Sequence, residues 1–231
     1  FEMQSRYCDR SPHGHWKLQP SAQFEVLQVL VLGTQLLRQP NRTLLEANEA
    51  VQALLFKAQT DRNELTGEAD PVVRLIDFHT PANNRFHAIN QFRVDTPGCV
   101  KPFIIPDIVL FVNGIPLVVV ECKKGSETCA NPMQEAFVQL QRYMRRRAET
   151  EAAGLKEGEP RLFHSNLMVV RSSGTLADYG TITSEEEHFY GWKTLYPQDD
   201  AALAGLNAQQ QLVAGMLTRG NLLQILRTSA V

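Results

Sequence analysis

The stretch "PDIVLFVNGIPLVVVECKK", residues 106–124, is apolar over most of its length and carries its charged residues only near its two ends. Asp107 stands at the start, and Glu121 and Lys123 stand close to the end. Two apolar runs separated by Asn113-Gly114 are typical of a β-hairpin. Because an unpaired charge in a buried strand costs several kcal/mol or shifts its pKa, these three side chains are expected to serve a common purpose.

The turn of this hairpin decides on which face of the sheet Asp107 lies. A two-residue turn would direct Asp107 away from Glu121 and Lys123, which share one face because they are two positions apart. A three-residue loop with Gly114 in the left-handed conformation, a G1 bulge, would put Asp107 diagonal to Glu121 on the same face. Since three charges around one ion cost less than three separated charges, we predict the bulge.

The side chains so gathered suit a hard divalent cation. Magnesium prefers oxygen ligands, and the backbone carbonyl of Cys122 can join the carboxylates of Asp107 and Glu121. Mg²⁺ is therefore the expected cofactor, with Mn²⁺ as a substitute. A bound cation of this kind activates water for attack on a phosphodiester, while Lys123 orients that water or neutralises the phosphate. The alternative for this pattern taken alone is a surface salt bridge at the strand ends.

Composition indicates an ordinary soluble globular protein: the chain has 231 residues, of which 43% are hydrophobic, and a formal net charge of −2. This charge gives no general attraction to nucleic acid, so contacts with DNA must come from local basic clusters such as Lys123-Lys124 and "RYMRRR", residues 142–147. The cysteines form no C-x-x-C pair, and no apolar run is long enough for a membrane span. We expect a cytoplasmic protein without membrane contact.

The periodicity predicts an α/β protein in which helices cover both faces of a mixed sheet. Residues 1–20 are predicted to be an extended lead-in, residues 21–198 the main domain and residues 199–231 a helical tail. Helices are expected from Ser21 to about Leu37, from Thr43 with a Thr43–Glu46 capping box, and from Asn131. The first residue, Phe1, and the apolar helical pattern near the end suggest a fragment of a longer chain.

The stretch of residues 106–124 resembles the PD…E-x-K nuclease motif in the amino-terminal domain of type I restriction enzyme R subunits, the HsdR family. The stretch "NNRFHAINQFRV" is similar to the strand that precedes the motif in that family, and "EAFVQLQRY" is similar to its Q-x-x-x-Y helix. The stretch "GTITSEEEHFYGWKTL" is similar to the segment that closes the nuclease domain. The likeness covers roughly residues 40 to 228, and the joint occurrence is far more specific than the three charged residues alone.

The resemblance implies a restriction-endonuclease-like fold and a role for each matching residue. Asp107 and Glu121 would hold magnesium, and Lys123 would be the catalytic lysine. Gln139 and Tyr143 would lie beside the active site, where they contact DNA or position the lysine. Alternatives from the residues themselves are core packing for Tyr143 and a solvated helix position for Gln139.

Other implied residues match the family less closely. Glu25 is the candidate for a further acidic ligand, although the region before residue 40 matches poorly. Cys122 replaces the usual aliphatic residue, which is harmless if only its carbonyl is used. The basic residues are predicted to contact DNA phosphates from the motif and from the helix that carries Gln139, and their alternative is a solvated helix face; they are Lys124, Arg142, Arg145 and Arg146.

The function implied by the resemblance is Mg²⁺-dependent cleavage of double-stranded DNA by an endonuclease domain. In the family, ATP-driven motor lobes follow this domain, and the subunit works with modification and specificity subunits. No G-x-x-x-x-G-K-[ST] motif occurs here, so ATP would concern only the full-length subunit. Two alternatives stay open: a non-catalytic docking module with the same fold, and a stand-alone repair or recombination nuclease.

Overall fold

The computed structural model of the chain describes residues 8–10, 16–18, 39, 42–56, 58–59, 72–126, 129–194 and 199–229. The predicted helix from Ser21 to about Leu37 lies outside these residues, as does Glu25. Within the described ranges, no helix is long and apolar enough to cross a membrane.

The described chain contains eleven strands and five α-helices. The strands are β1 (Cys8–Arg10), β2 (Trp16–Leu18), β3 (Ala58–Gln59), β4 (Val72–Val73), β5 (Phe86–Asn90), β6 (Val94–Asp95), β7 (Phe103–Ile104), β8 (Ile108–Val112), β9 (Ile115–Cys122), β10 (Met168–Ser173) and β11 (Leu176–Gly180). The α-helices are α1 (Leu44–Phe56), α2 (Pro132–Tyr143), α3 (Ala148–Ala152), α4 (Ala208–Met216) and α5 (Arg219–Ser229).

The centre of the fold is a five-stranded mixed sheet in the order β11-β10-β9-β8-β5. Strands β9 and β10 are parallel, and the other neighbouring pairs are antiparallel. Helices α4 and α5 bury Leu212, Met216 and Leu226 on one face of the sheet, whereas α2 buries Leu140 and Tyr143 on the other. The predicted α/β class, with helices on both sides of a mixed sheet, is therefore confirmed.

Helix α1 begins with the predicted capping box. The Thr43 hydroxyl accepts from the Glu46 backbone N–H at 3.3 Å, and the Glu46 carboxylate accepts from the Thr43 N–H at 2.7 Å. Two backbone donors at the helix start are thus satisfied reciprocally, which fixes where the helix begins.

The turn between β8 and β9 differs from the predicted G1 bulge. Val112 pairs with Ile115, and both Asn113 (φ 53) and Gly114 (φ 82) are left-handed, as in a two-residue type I′ turn. The extra residue instead lies inside β9, because Leu110 pairs with Val118 whereas the next residue of β8, Phe111, pairs with Pro116.

This internal bulge restores the parity that the type I′ turn would have lost. Leu117 is the unpaired residue, and it packs with its neighbour Val118 in the same apolar core, as expected where a strand bulges. Beyond the bulge, Ile108 pairs with Val120, so continuation of the register sets Asp107 opposite Glu121. The predicted turn was wrong because a bulge can sit anywhere along the hairpin, while the predicted shared face of Asp107 and Glu121 is correct.

Asn113 anchors the turn to the loop that precedes β5. Its side chain accepts from the Arg85 N–H at 2.8 Å and donates to the carbonyl of Leu75 and to Asn84 Oδ1, at 2.8 and 2.9 Å. Asn84 also accepts from the Asp77 N–H at 2.8 Å. Asn84 therefore serves the loop, as the sequence indicates, and this network fixes the register of the hairpin.

Helix α2 has the predicted cap but ends earlier than predicted. Asn131 accepts from the Gln134 N–H at 3.2 Å, and Pro132 begins the helix. After Tyr143 the chain turns through Arg145, which has a φ of 59. The Arg146 N–H bonds the Gln141 carbonyl and the Arg145 N–H bonds the Arg142 carbonyl, at 2.8 and 3.2 Å.

These two bonds form a Schellman motif with arginine where glycine is usual. The prediction that Arg145 and Arg146 lie on the helix of Gln139 is therefore wrong. The helix ends because the left-handed residue redirects the backbone, which satisfies the last carbonyls in place of a further turn.

Candidate active site

A row of polar side chains crosses the sheet on the face covered by α2. In the registers of the sheet, Arg171 on β10 stands opposite Asp178 on β11 on one side and Glu121 on β9 on the other. Continuation of the β8 registers places Asp107 beside Glu121 and Gln91 beside Asp107, since Ile108 pairs with both Val120 and Asn90. The strands around this row are apolar, so the row is a polar band held by rigid neighbours.

Asp107 has both carboxylate oxygens fixed by donors. Its Oδ2 accepts from the Cys122 backbone N–H at 2.8 Å, and its Oδ1 accepts from Gln91 Nε2 at 2.8 Å. An ionised carboxylate has about four lone-pair sites, so these bonds orient Asp107 and leave acceptor capacity on each oxygen.

Glu121 is the most deeply buried carboxylate of the site, with its side chain only 1% exposed. Lys123 Nζ donates to Glu121 Oε1 at 2.6 Å and is itself 23% exposed, so the lysine faces the surface side of the site. Burial raises the pKa of Glu121 to about 7; Lys123 opposes this rise and the charge of Asp107 adds to it. The carboxylate therefore lacks enough favourable partners for its charge.

The donor set fits a divalent cation at this point. Glu121 Oε2 is buried and has no hydrogen-bond partner, which is costly for a carboxylate oxygen unless another group is bound there. Asp107 is adjacent, and its charge raises the pKa of Glu121. Within the described chain, no group of three or more histidine, cysteine or acidic side chains is arranged to hold a metal ion. The set this site offers is therefore two carboxylates, with the Cys122 carbonyl as a predicted third ligand.

Gln139 and Tyr143 meet each other beside this site. Gln139 Nε2 donates to the Tyr143 hydroxyl, which donates in turn to the Ile105 carbonyl at 3.1 Å. Burial raises the pKa of Tyr143 to about 12, and the charge of Glu121 adds to this, so the hydroxyl keeps its proton. The Tyr143 ring also packs in the core. Core packing and a position beside the active site, which were alternatives for Tyr143 in the sequence, are therefore compatible.

A groove of about 340 Å³ lies at the start of β10, and a second groove, of about 300 Å³, runs along α2 past Gln139, which bonds Tyr143. Gln139 and Arg142 line the second groove together with Arg147. The guanidinium of Arg142 lies 5.3 Å from the Tyr143 ring centre, and its Nε is buried without a hydrogen-bond partner. Arg142 thus brings an incompletely satisfied cation next to Tyr143.

The other predicted basic residues are placed differently. Arg145 donates to the carbonyls of Glu157 and Gly158, at 2.7 and 3.3 Å, and thereby supports the end of α2. Arg146 bonds the Ile182 carbonyl and pairs with Glu185. Lys124 is exposed next to the site. A role in DNA binding stays a prediction for all three residues, and the bonds of Arg145 to backbone carbonyls count against it there.

Sequence reasoning missed three members of the polar row, Gln91, Arg171 and Asp178. Arg171 is buried, and it binds Asp178 at 2.7 Å and Glu186 at 3.1 Å. Its signal was a charged residue inside the apolar strand "SNLMVVRS". Gln91 lies within "NNRFHAINQFRV", where an uninterrupted strand was expected, and no local signal marks its contact with Asp107.

Comparison with known proteins identifies the family of this chain. The family model "Type I restriction enzyme R protein N terminus" matches residues 16–188. The chain belongs to this family, and its mixed sheet with flanking helices has the restriction-endonuclease-like fold.

Two curated relatives match shorter parts of the chain. It is 33% identical over 157 residues to the "Type I restriction enzyme HindI endonuclease subunit" of Haemophilus influenzae. The aligned region covers 68% of this chain and 14% of the relative. It is 28% identical over 130 residues to the "Putative type I restriction enzyme MjaIXP endonuclease subunit" of Methanocaldococcus jannaschii, which covers 55% of this chain and 11% of the relative. The match thus spans a small part of each relative's length.

Proposed function

We propose that this chain is the Mg²⁺-dependent endonuclease domain of a type I restriction enzyme and hydrolyses phosphodiester bonds of double-stranded DNA. Mn²⁺ is expected to substitute for Mg²⁺. The full-length subunit would act with modification and specificity subunits, and ATP hydrolysis would belong to parts of that subunit beyond these residues. Family membership and the names of the two relatives support this proposal.

The observation that carries the proposal is that the buried carboxylate of Glu121 has an oxygen without a hydrogen-bond partner. This carboxylate is buried opposite Asp107, one of its oxygens has no hydrogen-bond partner, and the amine of Lys123 lies 2.6 Å from the other. Such an arrangement is unfavourable for a merely structural carboxylate, because a buried acceptor without a hydrogen-bond partner costs about 1–3 kcal/mol, and more when the group is charged. It suits a pair of ligands that acquires a cation.

Each residue of the site has a separate task in this proposal. Asp107 and Glu121 would hold the cation, which when bound supplies Lewis-acid polarisation of the phosphodiester and activation of a water molecule. Lys123, partly exposed beside Glu121, would donate to an anionic phosphate oxygen or orient the attacking water. Tyr143 keeps its proton and holds the backbone at Ile105, so the segment that leads into Asp107 stays in place.

The groove along α2 is the proposed path for the DNA backbone. Arg142 has a buried Nε without a partner, and Gln139 links this groove to Tyr143. The guanidinium of Arg142, which lies beside Tyr143 and lines this groove, would bind a backbone phosphate of the DNA near the one being cut. This contact would leave sequence recognition to another part of the enzyme, since phosphate contacts carry no direct sequence information.

The test is DNA cleavage by the complete R subunit assembled with its modification and specificity subunits. Lys123→Ala and Asp107→Asn are expected to reduce Mg²⁺-dependent cleavage by about a hundredfold or more. Lys156→Ala, which changes an exposed lysine far along the chain, is the matched control and should cut at the parental rate. Parental cleavage by Lys123→Ala or Asp107→Asn would instead favour the non-catalytic docking module.

A further inference from the structure

We propose that Gln91 is a positioning residue, which holds the Asp107 carboxylate in the orientation that binds the divalent cation. The inference rests on the proposed function and assigns a role to a residue outside the nuclease motif. Gln91 lies directly after β5, one strand away from Asp107 and two strands away from Glu121.

The contact between Gln91 and Asp107 involves both backbone and side chain. The Gln91 N–H donates to the Asp107 carbonyl at 2.8 Å, and Gln91 Nε2 donates to Asp107 Oδ1 at 2.8 Å. The next residue, Phe92, donates to the Pro106 carbonyl at 3.1 Å. The start of the motif is thus bound to this segment at three points.

The backbone of Gln91 is strained at the point where β5 ends and the partly buried Phe92 packs against the core. Its φ is 51, a left-handed conformation that is uncommon for residues other than glycine. Strained residues of this kind persist where the surrounding structure holds them and are frequent at functional sites. Because Gln91 is exposed, it does not adopt this conformation to fill the core.

The left-handed conformation ends β5 and accompanies the amide contact with Asp107. The opposite carboxylate oxygen, Oδ2, is already held by the Cys122 N–H. With a donor on each oxygen, the carboxylate plane cannot rotate freely, and its remaining lone pairs keep fixed directions beside Glu121. Partners of this kind orient metal ligands, and their loss typically reduces metal affinity by about 10- to 100-fold.

Direct cation binding tests this role without relying on cleavage. Mn²⁺ binding to the 231-residue chain is measured from the decrease of the electron paramagnetic resonance signal of the free ion, and Mg²⁺ binding is measured by calorimetry. Gln91→Gly is the chosen variant, because glycine accepts the left-handed backbone while the side chain that contacts Asp107 is removed. Gln224→Ala, at an exposed glutamine of α5 on the other face of the sheet, is the matched control.

Gln91→Gly is expected to weaken Mn²⁺ and Mg²⁺ binding by about tenfold while the chain stays folded. In the complete complex, the Mg²⁺ concentration for half-maximal cleavage should rise by a similar factor, with a near-parental rate at saturating Mg²⁺. Unchanged cation affinity in Gln91→Gly, with Asp107→Ala weakened, would overturn the role of Gln91 and leave the proposed function standing. If neither the parent nor Asp107→Ala bound the cation, both proposals would fall.

Discussion

Tyr143 donates its hydroxyl hydrogen to the backbone carbonyl of Ile105 at 3.1 Å, and so joins the last turn of α2 to the chain two residues before Asp107. The same hydroxyl accepts from Gln139. The helix with the Q-x-x-x-Y pattern is therefore coupled to the carboxylates through one oxygen atom. Displacement of that helix would shift the segment that presents Asp107.

Tyr143→Phe should separate this coupling from the packing of the ring. Loss of the hydroxyl leaves the Ile105 carbonyl and the Gln139 amide without a partner, so the free energy of unfolding should fall by about 1 kcal/mol. The cleavage rate of the complete complex should also fall, because Asp107 would be less well held. The small loss of unfolding free energy would not account for this fall. Urea unfolding and cleavage rates measure the two effects, with the exposed Tyr190→Phe as the control. Parental cleavage in Tyr143→Phe would contradict the coupling.

Glu121 gives the cation-free chain a characteristic dependence of stability on pH. Its pKa is raised from 4.5 to about 7, mainly by burial, so between these values the folded state holds a proton that the unfolded state has lost. Stability should therefore fall as pH rises through this window, by on the order of 3 kcal/mol. Mg²⁺ should restore part of this stability at neutral pH, because it binds only the folded state.

Urea unfolding in a chelator at about pH 5 and pH 7.5 measures this fall. Glu121→Gln should remove most of it, since glutamine does not titrate. Glu151→Gln, at an exposed position of α3, should behave like the parent. An equal fall in Glu121→Gln and in the parent would show that another group is responsible.

The Asn113 turn is predicted to depend on both its left-handed backbone and its side-chain amide. Asn113→Ala should destabilise the chain by about 2–3 kcal/mol, because alanine disfavours this φ and the Arg85 N–H loses its acceptor. Asn113→Gly should cost less, since glycine adopts the conformation freely. Equal losses of unfolding free energy would mean that the amide network alone fixes the turn.

Arg142 and Arg145 should respond differently in DNA binding. Arg142→Ala should weaken binding at all sequences and reduce the magnitude of the slope of log affinity against log salt by about one, as for a lost phosphate contact. Arg145→Ala should leave that slope unchanged and lower stability, because its guanidinium already serves the carbonyls of Glu157 and Gly158. Fluorescence anisotropy over a salt series distinguishes them, and a reduced slope for Arg145→Ala would contradict this assignment.

The fold class and the cap of α1 could be predicted from local patterns, whereas the shared face of Asp107 and Glu121 was predicted from the cost of separating buried charges. A capping box or an Asn-Gly turn acts over a few residues, so its physical cause is visible in the sequence. The bulge at Leu117 could not be located, because any of several apolar residues in β9 could be left unpaired at similar cost.

The long-range contacts of the site likewise could not be predicted from the sequence. Gln91 and Asp107 are 16 positions apart, and their hydrogen bond depends on the register between β5 and β8. Arg145 ends α2 in a position where glycine is the usual residue, so propensity alone favoured a longer helix. In both cases tertiary contacts stabilise a left-handed backbone that local preference disfavours.

The central claim is that Glu121 and Asp107 hold one divalent cation that is required for DNA cleavage. Its most direct measurement is the Mg²⁺-dependent cleavage rate of the complete enzyme with Glu121→Gln, which keeps the shape of the side chain and removes its charge. We expect the cleavage rate to fall by about a hundredfold or more, together with loss of Mn²⁺ binding by the chain. Parental cleavage and parental Mn²⁺ binding in Glu121→Gln would contradict it.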